Sequence, residues 1–417
     1  MNSFRKERGV SMDWDRAWLK EAGKDRFRGN YGSCVLVSLI MTLLTGNGVS
    51  AVIERRIEDI TFALGLLAVM AMASLASCDM MKQDLEDCPY GLYLQFKYDY
   101  NLQRADMFND HVGAVDVYVF DERGRFVKTQ SEENTANYAP LAAPNYRMHM
   151  ELEPGKYQFI VLAGQDSYSQ QMARQRAHFM RTEMKAGDPM TAMEIKLDTQ
   201  GGNVLTVDNM GAPLDTLWHG METTPVEVFA EKPTYHTISL MRDTKKINVT
   251  LRELDDPSQM DIQNYDLAIY DRNTHLWWNN VVDESQWAVY TPHATWNTDD
   301  LTQVVTEGGE QVGYGKIGHA DFMTSRIMYH GDAAQDGRLE VTYRPTGEKV
   351  INVNLPDLLS RLRNYEDYLR YGEQEFLDRG YDYQLDFFLK GGELQYVNIS
   401  ISVLSWSIRV QFEELGH

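Results

Sequence analysis

The sequence predicts a mainly β protein, and three stretches carry that expectation. Leu92, Leu94 and Phe96 alternate with Tyr93, Gln95 and Lys97, the period of a strand with one buried face. The run Val115-Asp116-Val117-Tyr118-Val119-Phe120 enters Asp121-Glu122-Arg123-Gly124 and leaves through Phe126 and Val127, which reads as a hairpin. At the far end, residues 383–389 and 397–412 alternate over long runs.

Between these stretches the elements follow in order. Glu153-Pro154-Gly155 introduces a strand over 157–163, and a helix is expected near 168–181. Strands resume at 226–229 and 236–240. The charged run Arg242-Asp243-Thr244-Lys245-Lys246 then separates two strand signals and marks a seam. Beyond it, Ile247-Asn248-Val249-Thr250-Leu251 restarts the alternation, which returns at 265–270 and 339–343. Pro356 fixes a first helical turn, and Leu358, Leu359 and Leu362 recur at helical spacing. The resulting division is a leader over 1–77, an acidic tether over 78–89, and β-sandwich domains over 90–243 and 244–417.

The leader supplies the sharpest motif. Residues 60–77 carry no charge, Arg55 and Arg56 precede them, and the run ends in Leu75-Ala76-Ser77-Cys78. A basic flank, an apolar stretch and small residues before a cysteine form an export signal cleaved ahead of that cysteine. This tetrapeptide resembles the lipobox of bacterial lipoproteins, which implies acylation of Cys78 as the new N-terminus. A compact signal of ordinary length begins at Val52, so the residues before it read as an overextended start.

Charge and cysteines narrow the partners. The whole chain has a formal net charge of −21; the leader holds 10 of its 40 basic and 8 of its 61 acidic groups, leaving 30 against 53, or −23, over 78–417. Such a surface repels phosphate backbones, which argues against nucleic acid as a partner. Cys34, Cys78 and Cys88 are the cysteines present, so loss of Cys34 with the leader and acylation of Cys78 leave Cys88 without a disulfide partner.

Several motifs resemble a family in order and spacing. They are Gly91 to Tyr98 soon after the lipobox, Asp116 to Asp121 with Gly124, Pro154-Gly155-Lys156-Tyr157, Leu217-Trp218-His219-Gly220, residues 244–254, Phe376-Leu377-Asp378-Arg379, and Ser405-Trp406-Ser407-Ile408. Together they are similar to the FimB-type fimbrial anchor lipoproteins of Bacteroidales. The resemblance implies two transthyretin-like β-sandwich domains in series and a lipid anchor at Cys78 in the cell outer membrane. It further implies a fimbrial stalk subunit as partner, assembly by β-strand complementation, and no catalytic residues, cofactor or metal. Residues 397–412 are the candidate contact, as donor, as edge, or as an ordinary core strand.

Four further groups of residues bear on other chemistries. Gly313-Tyr314-Gly315-Lys316-Ile317-Gly318 has dinucleotide-type glycine spacing, yet no helical apolar stripe follows, so a loop or hairpin connection is expected. Asp255, Asp256, Asp261 and Asp266 lack the spacing of a calcium loop and read as a solvated turn. His219 has no nearby second ligand and reads as a buried or capping histidine. Trp277, Trp278, Trp287 and Trp296 fit core packing or a sugar-stacking platform, so surface glycan binding is the alternative function. Exposure of the four rings in one concave patch distinguishes the two. A hydrolase is disfavoured because no nucleophile or acid/base constellation stands out.

Overall fold

The computed structural model describes residues 91–300, 304–305, 311–312, 315–391, 393–404 and 407–414. The chain runs through β1 (Leu92–Tyr100), α1 (Phe108–His111), β2 (Ala114–Asp121), β3 (Phe126–Glu133), β4 (Met148–Met150), β5 (Gly155–Gly164) and α2 (Tyr168–Met172). Short strands follow as β6 (Phe179–Arg181), β7 (Glu194–Leu197), β8 (Gln200–Gly201) and β9 (Val204–Val207), then the long β10 (Trp218–Val228) and β11 (Thr234–Arg242). After the seam come β12 (Lys245–Glu253), β13 (Tyr265–Asp271), β14 (His275–Trp277), β15 (Trp287–Tyr290), β16 (Ala294–Asp300), β17 (Val304–Val305), β18 (Gln311–Val312), β19 (Gly315–Thr324), β20 (Arg338–Tyr343) and β21 (Glu348–Asn354). Three short helices, α3 (Leu355–Ser360), α4 (Tyr365–Arg370) and α5 (Glu373–Arg379), lead into β22 (Asp382–Lys390), β23 (Glu393–Leu404) and β24 (Ser407–Glu414).

The first seven-stranded sheet, ordered β3-β2-β5-β10-β11-β1-β4, folds back on itself. Strand β10 pairs with β5 along its length but meets β11 only at Trp218↔Arg242 and His219↔Met241, so the two halves of the sheet splay apart beyond that corner. Leu92, Leu94 and Phe96 of β1 and Leu240 of β11 then close on Val117, Val119, Phe159 and Val161. The opposite faces of β2 and β5 are buried as well. Tyr118, Phe120, Ile160 and Leu162 pack on the small sheet β14-β7-β6 through Phe179, Ile195, Leu197 and Leu276. This explains the unbroken apolar run Phe159 to Ala163: a strand buried on both faces has no polar alternation.

The second core lies between two six-stranded sheets, β16-β19-β12-β22-β23-β24 and β21-β20-β13-β15-β9-β8. Ile247, Val249, Leu385, Phe387 and Ile399 face Leu267, Ile269, Tyr290, Leu339 and Val341 in one cluster with the small sheet. Each fully buried Leu, Ile or Phe side chain contributes on the order of 2 kcal/mol of transfer free energy. The expected seam coincides with the junction between β11 and β12, and pairing runs across it: β7 with β14 and β9 with β15. The helix expected near 168–181 is shorter, because the chain leaves it after Met172 and Phe179–Arg181 pairs with β7 instead. The helix at Pro356 forms as expected, with Asn354 accepting from the Asp357 amide as its N-cap. Gly124 closes the first hairpin with φ 71°, a conformation that favours glycine.

The seam is buried up to Lys245, and Lys246 is exposed. Arg242, Asp243, Thr244 and Lys245 are between 0% and 3% exposed. The Lys245 ammonium donates to the carbonyls of Arg242 (3.2 Å), Asp378 (2.8 Å) and Gly380 (2.8 Å), so it caps the C-terminal end of α5. Arg326 forks onto the Asp378 carboxylate at 2.8 Å through both Nε and Nη2, and its Nη1 donates to the Asn280 carbonyl. Asn280 in turn donates to the Asp243 carboxylate at 2.9 Å, and the Arg242 guanidinium lies over the Tyr381 ring at 4.4 Å and the Trp218 ring at 5.3 Å. Burial pushes the Asp243 carboxyl up and the Lys245 ammonium down from their ordinary values. Removing one member of a buried pair strands the other, so Arg326→Ala is expected to lower stability by about 3–5 kcal/mol. Denaturant titration checks this; a loss under 1 kcal/mol would mean that Asp378 is satisfied without the guanidinium.

Candidate functional site

Residues 397–412 separate into two strands with different roles. Val397, Ile399 and Ile401 of β23 are wholly buried, which makes that strand core. Strand β24 pairs, among the described residues, with β23 alone, from Tyr396↔Glu414 to Leu404↔Ser407, and so forms the edge of its sheet. An edge strand presents one row of backbone donors and acceptors to whatever lies beside it. Strand β16 forms the opposite edge of the same sheet, and β21 is an edge of the facing one. The edge at β3 is closed differently: Lys128 Nζ and Gln130 Nε2 donate to the carbonyls of Glu151 and His149, both at 2.8 Å, bridging β3 to the β4 layer. Among these edges, β24 is the one that falls within residues 397–412, and it is the candidate interface built from main-chain groups. Leu75, Ala76, Ser77 and Cys78, like Cys88 and Val52, lie outside the described residues.

The remaining motifs find ordinary structural roles. Gly315 and Gly318 sit inside β19, so the glycine-spaced segment ends in a strand rather than in the expected connection. A Cβ on Gly315 would lie 2.4 Å from the Pro257 carbonyl oxygen, so close backbone approach explains that glycine. In the acidic segment, Asp261 accepts from the Gln263 amide (3.1 Å) and Asn297 (2.8 Å), and Asp266 accepts from Arg344 (2.7 Å). Among the described residues no group of three His, Cys, Asp or Glu is placed to hold a metal, and no helix is long and apolar enough to cross a membrane.

The four tryptophans are dispersed over different elements. Trp277 lies in β14, Trp287 in β15 beneath Arg272 and Arg338, and Trp278 packs on the second core. Trp296 is the most exposed of the four, at 40%, stacked on His319 at 4.8 Å with the rings nearly parallel. The other three rings are half-buried, Trp278 against the core, Trp287 under the two guanidinium groups and Trp277 against His275.

His219 is a buried structural histidine. Its Nε2 lies 3.0 Å from the Trp278 carbonyl, so that nitrogen donates, and burial lowers its pKa to about 4. An unfolded histidine titrates near 6.5, so the stability that the neutral ring contributes is present above that pH. It is lost as pH falls towards 4. His219→Gln, which retains a donor, should flatten the pH dependence of the unfolding free energy between pH 7 and 4 by on the order of 3 kcal/mol. Identical slopes for both proteins would assign the acid sensitivity elsewhere.

The described residues form a mainly β chain in which β24 lies at the edge of its sheet beside β23. The chain belongs to the family of fimbrillin-A associated anchor proteins Mfa1 and Mfa2, whose family model matches residues 85–412. The resemblance in the motifs is thereby borne out. The minor fimbrium anchoring subunit Mfa2 of Porphyromonas gingivalis is 23% identical over 310 residues, covering 72% of this chain and 82% of that protein. A candidate adhesin from Bacteroides thetaiotaomicron superposes with a TM-score of 0.60 at 26% identity, covering 79% of this chain and 100% of the other. Candidate polysaccharide-binding proteins from the same organism give 0.60 at 27% identity, covering 78% and 99%. Family membership places the protein among cell-surface, fimbrium-associated anchor proteins, which are not an enzyme family.

Proposed function

We propose that this protein is a lipoprotein acylated at Cys78 that fixes the base of a fimbrium to the outer membrane. The observation that carries this reading is the family match over 85–412, which begins seven residues after the lipobox cysteine. Residues 78–89 act as the tether, and the two sandwiches display the edge. A stalk subunit pairs with β24 by main-chain hydrogen bonds, while side chains entering alternate pockets fix register. Edges are ordinarily blunted against such pairing, so an anchor keeps one available to its own partner.

A second reading, surface glycan binding, is favoured by the exposed Trp296 ring and by the description of the Bacteroides thetaiotaomicron relatives. The dispersal of the other three rings weighs against it.

Cys78→Ala should move the protein from the membrane fraction to the soluble fraction and abolish labelling with palmitate. Retention after carbonate washing would refute the lipid anchor. Truncation after Leu404 removes β24 and spares the core strand β23; it should leave a folded protein that no longer co-purifies with a stalk subunit. Undiminished co-purification, with fimbriae of normal length and attachment, would exclude the β24 edge.

A further inference from the structure

At the start of β1, where the chain arrives from the tether, the surface opens into a depression of about 470 Å³. Gly91 lines it together with Val127, Leu152, Pro154, Tyr157 and Phe229. Val127 and Phe229 are 42% and 37% exposed, and Tyr235 nearby is 59% exposed, stacked on Tyr93 at 5.2 Å. Cations frame the rings: Lys232 stands 3.9 Å above Phe229, and Arg147 lies 5.1 Å from the centre of Tyr235. Exposed apolar and aromatic groups rimmed by long cationic side chains mark an interaction surface. Tyrosine with lysine and arginine suits the headgroup zone of a bilayer, where rings bury their apolar bodies and the cationic ends remain hydrated.

We infer that this end of the molecule is a membrane-contact face, seated on the same lipid surface that receives the acyl chains. The inference rests on the proposed anchoring at Cys78. Its argument for a bilayer rather than another protein is the length of chain and where that chain ends. Thirteen residue steps separate Cys78 from Gly91, and Gly91 is itself part of the depression. Thirteen steps of chain reach at most roughly 45 Å. The face is thus confined close to the membrane, and weak contact suffices because the second binding event is intramolecular. The local charge is mixed, with Glu151 and Glu153 lining the depression beside Lys128, so insertion of apolar groups rather than attraction to anionic lipid drives the contact. The opposite end of β1 supplies an internal control. Arg104, just beyond that strand, contacts Asp367 of α4, and α4 exposes Leu369 (71%) about 30 Å away along the strand direction.

The test uses the lipidated protein with Cys88→Ser, carrying one environment-sensitive fluorophore at Val127→Cys or at Leu369→Cys. Each is reconstituted into vesicles of phosphatidylethanolamine and phosphatidylglycerol. The label at 127 should shift to the blue and be quenched at least twofold by spin-labelled lipid, while the label at 369 should behave as in buffer. Phe229→Asp should weaken the response at 127 without lowering the melting temperature. Co-flotation with no response at 127 overturns the membrane face while leaving the lipid anchor standing. So does quenching at 369 instead, which would mean the molecule lies the other way up, or a concentration-dependent change at 127 without vesicles, which would assign the face to a second copy. If the protein does not float, the anchor reading fails, and the Cys78→Ala chain with excess vesicles decides the face by itself. A blue shift at 127 that grows with lipid concentration and is abolished by Phe229→Asp sustains it; no shift at saturating lipid overturns it.

Discussion

The structure turns on one lysine held among carbonyls. Lys245 is the first residue of β12, and its three donors go to the end of β11 and to the end of a helix more than 130 positions later. A buried ammonium is costly unless every donor is used in good geometry, and here all three are. Arg326, Asp378, Asn280 and Asp243 extend the constraint, so the point where the first sheet passes to the second is also where α5 and the loop after β14 are fastened. An apolar plug of equal volume would bury as well but would not specify which backbone segments must meet. Lysine does, because only convergent carbonyls satisfy it.

That fastening explains why two sandwiches form one continuous body of packing rather than beads on a string. The layer holding β2 and β5 is buried on both faces, with one core inside the first sandwich and the other shared with β6, β7 and β14. Residues before the seam therefore complete sheets that lie after it, through β9 on β15 and β7 on β14. The segment over 164–217 does this bridging. Its local signals are weak because long-range pairing, not propensity, determines its structure.

Most strands were legible because one face is buried and the other is not, as at Leu92, Leu94 and Phe96. The hairpin after Val115 and the helix at Pro356 were equally legible, since turn glycine and helix-start proline act locally. The interruption of strand signals at 242–246 falls where β11 ends and β12 begins, and its burial is not legible from composition. A run of Arg, Asp, Thr, Lys and Lys has the composition of a solvated link, and only distant partners such as Asp378 and Asn280 turn it into core. The candidate edge was half legible for a similar reason: alternation over 397–412 gives strand without saying which of two neighbouring strands is interior. The family resemblance had a physical basis that its motifs did not announce. Leu217, Trp218, Lys245 and Asp378 come from three separate motifs and meet at the junction, where the Leu217 carbonyl accepts from the Asp243 amide at 2.9 Å.

The order of strands also sets how a load would pass through an anchor. From the β24 edge, hydrogen-bonded neighbours run through β23 and β22 to β12, which pairs with β22 in parallel over eight positions. From β12 the path crosses the seam covalently to β11, and β11 holds β1 in parallel from Leu92↔Thr234 onward. A pull on the chain preceding Leu92 acts on the N-terminal end of β1, along the strand. Because β1 is bonded laterally to β11 and β4, displacement along its axis must shear several main-chain bonds together instead of opening them singly. The seam is then the one place in this path where continuity rests on a two-residue turn, Asp243-Thr244, rather than on a ladder. Burying that turn, and tying its flanks to α5 through Lys245 and Arg326, puts side-chain bonds where the ladder is interrupted.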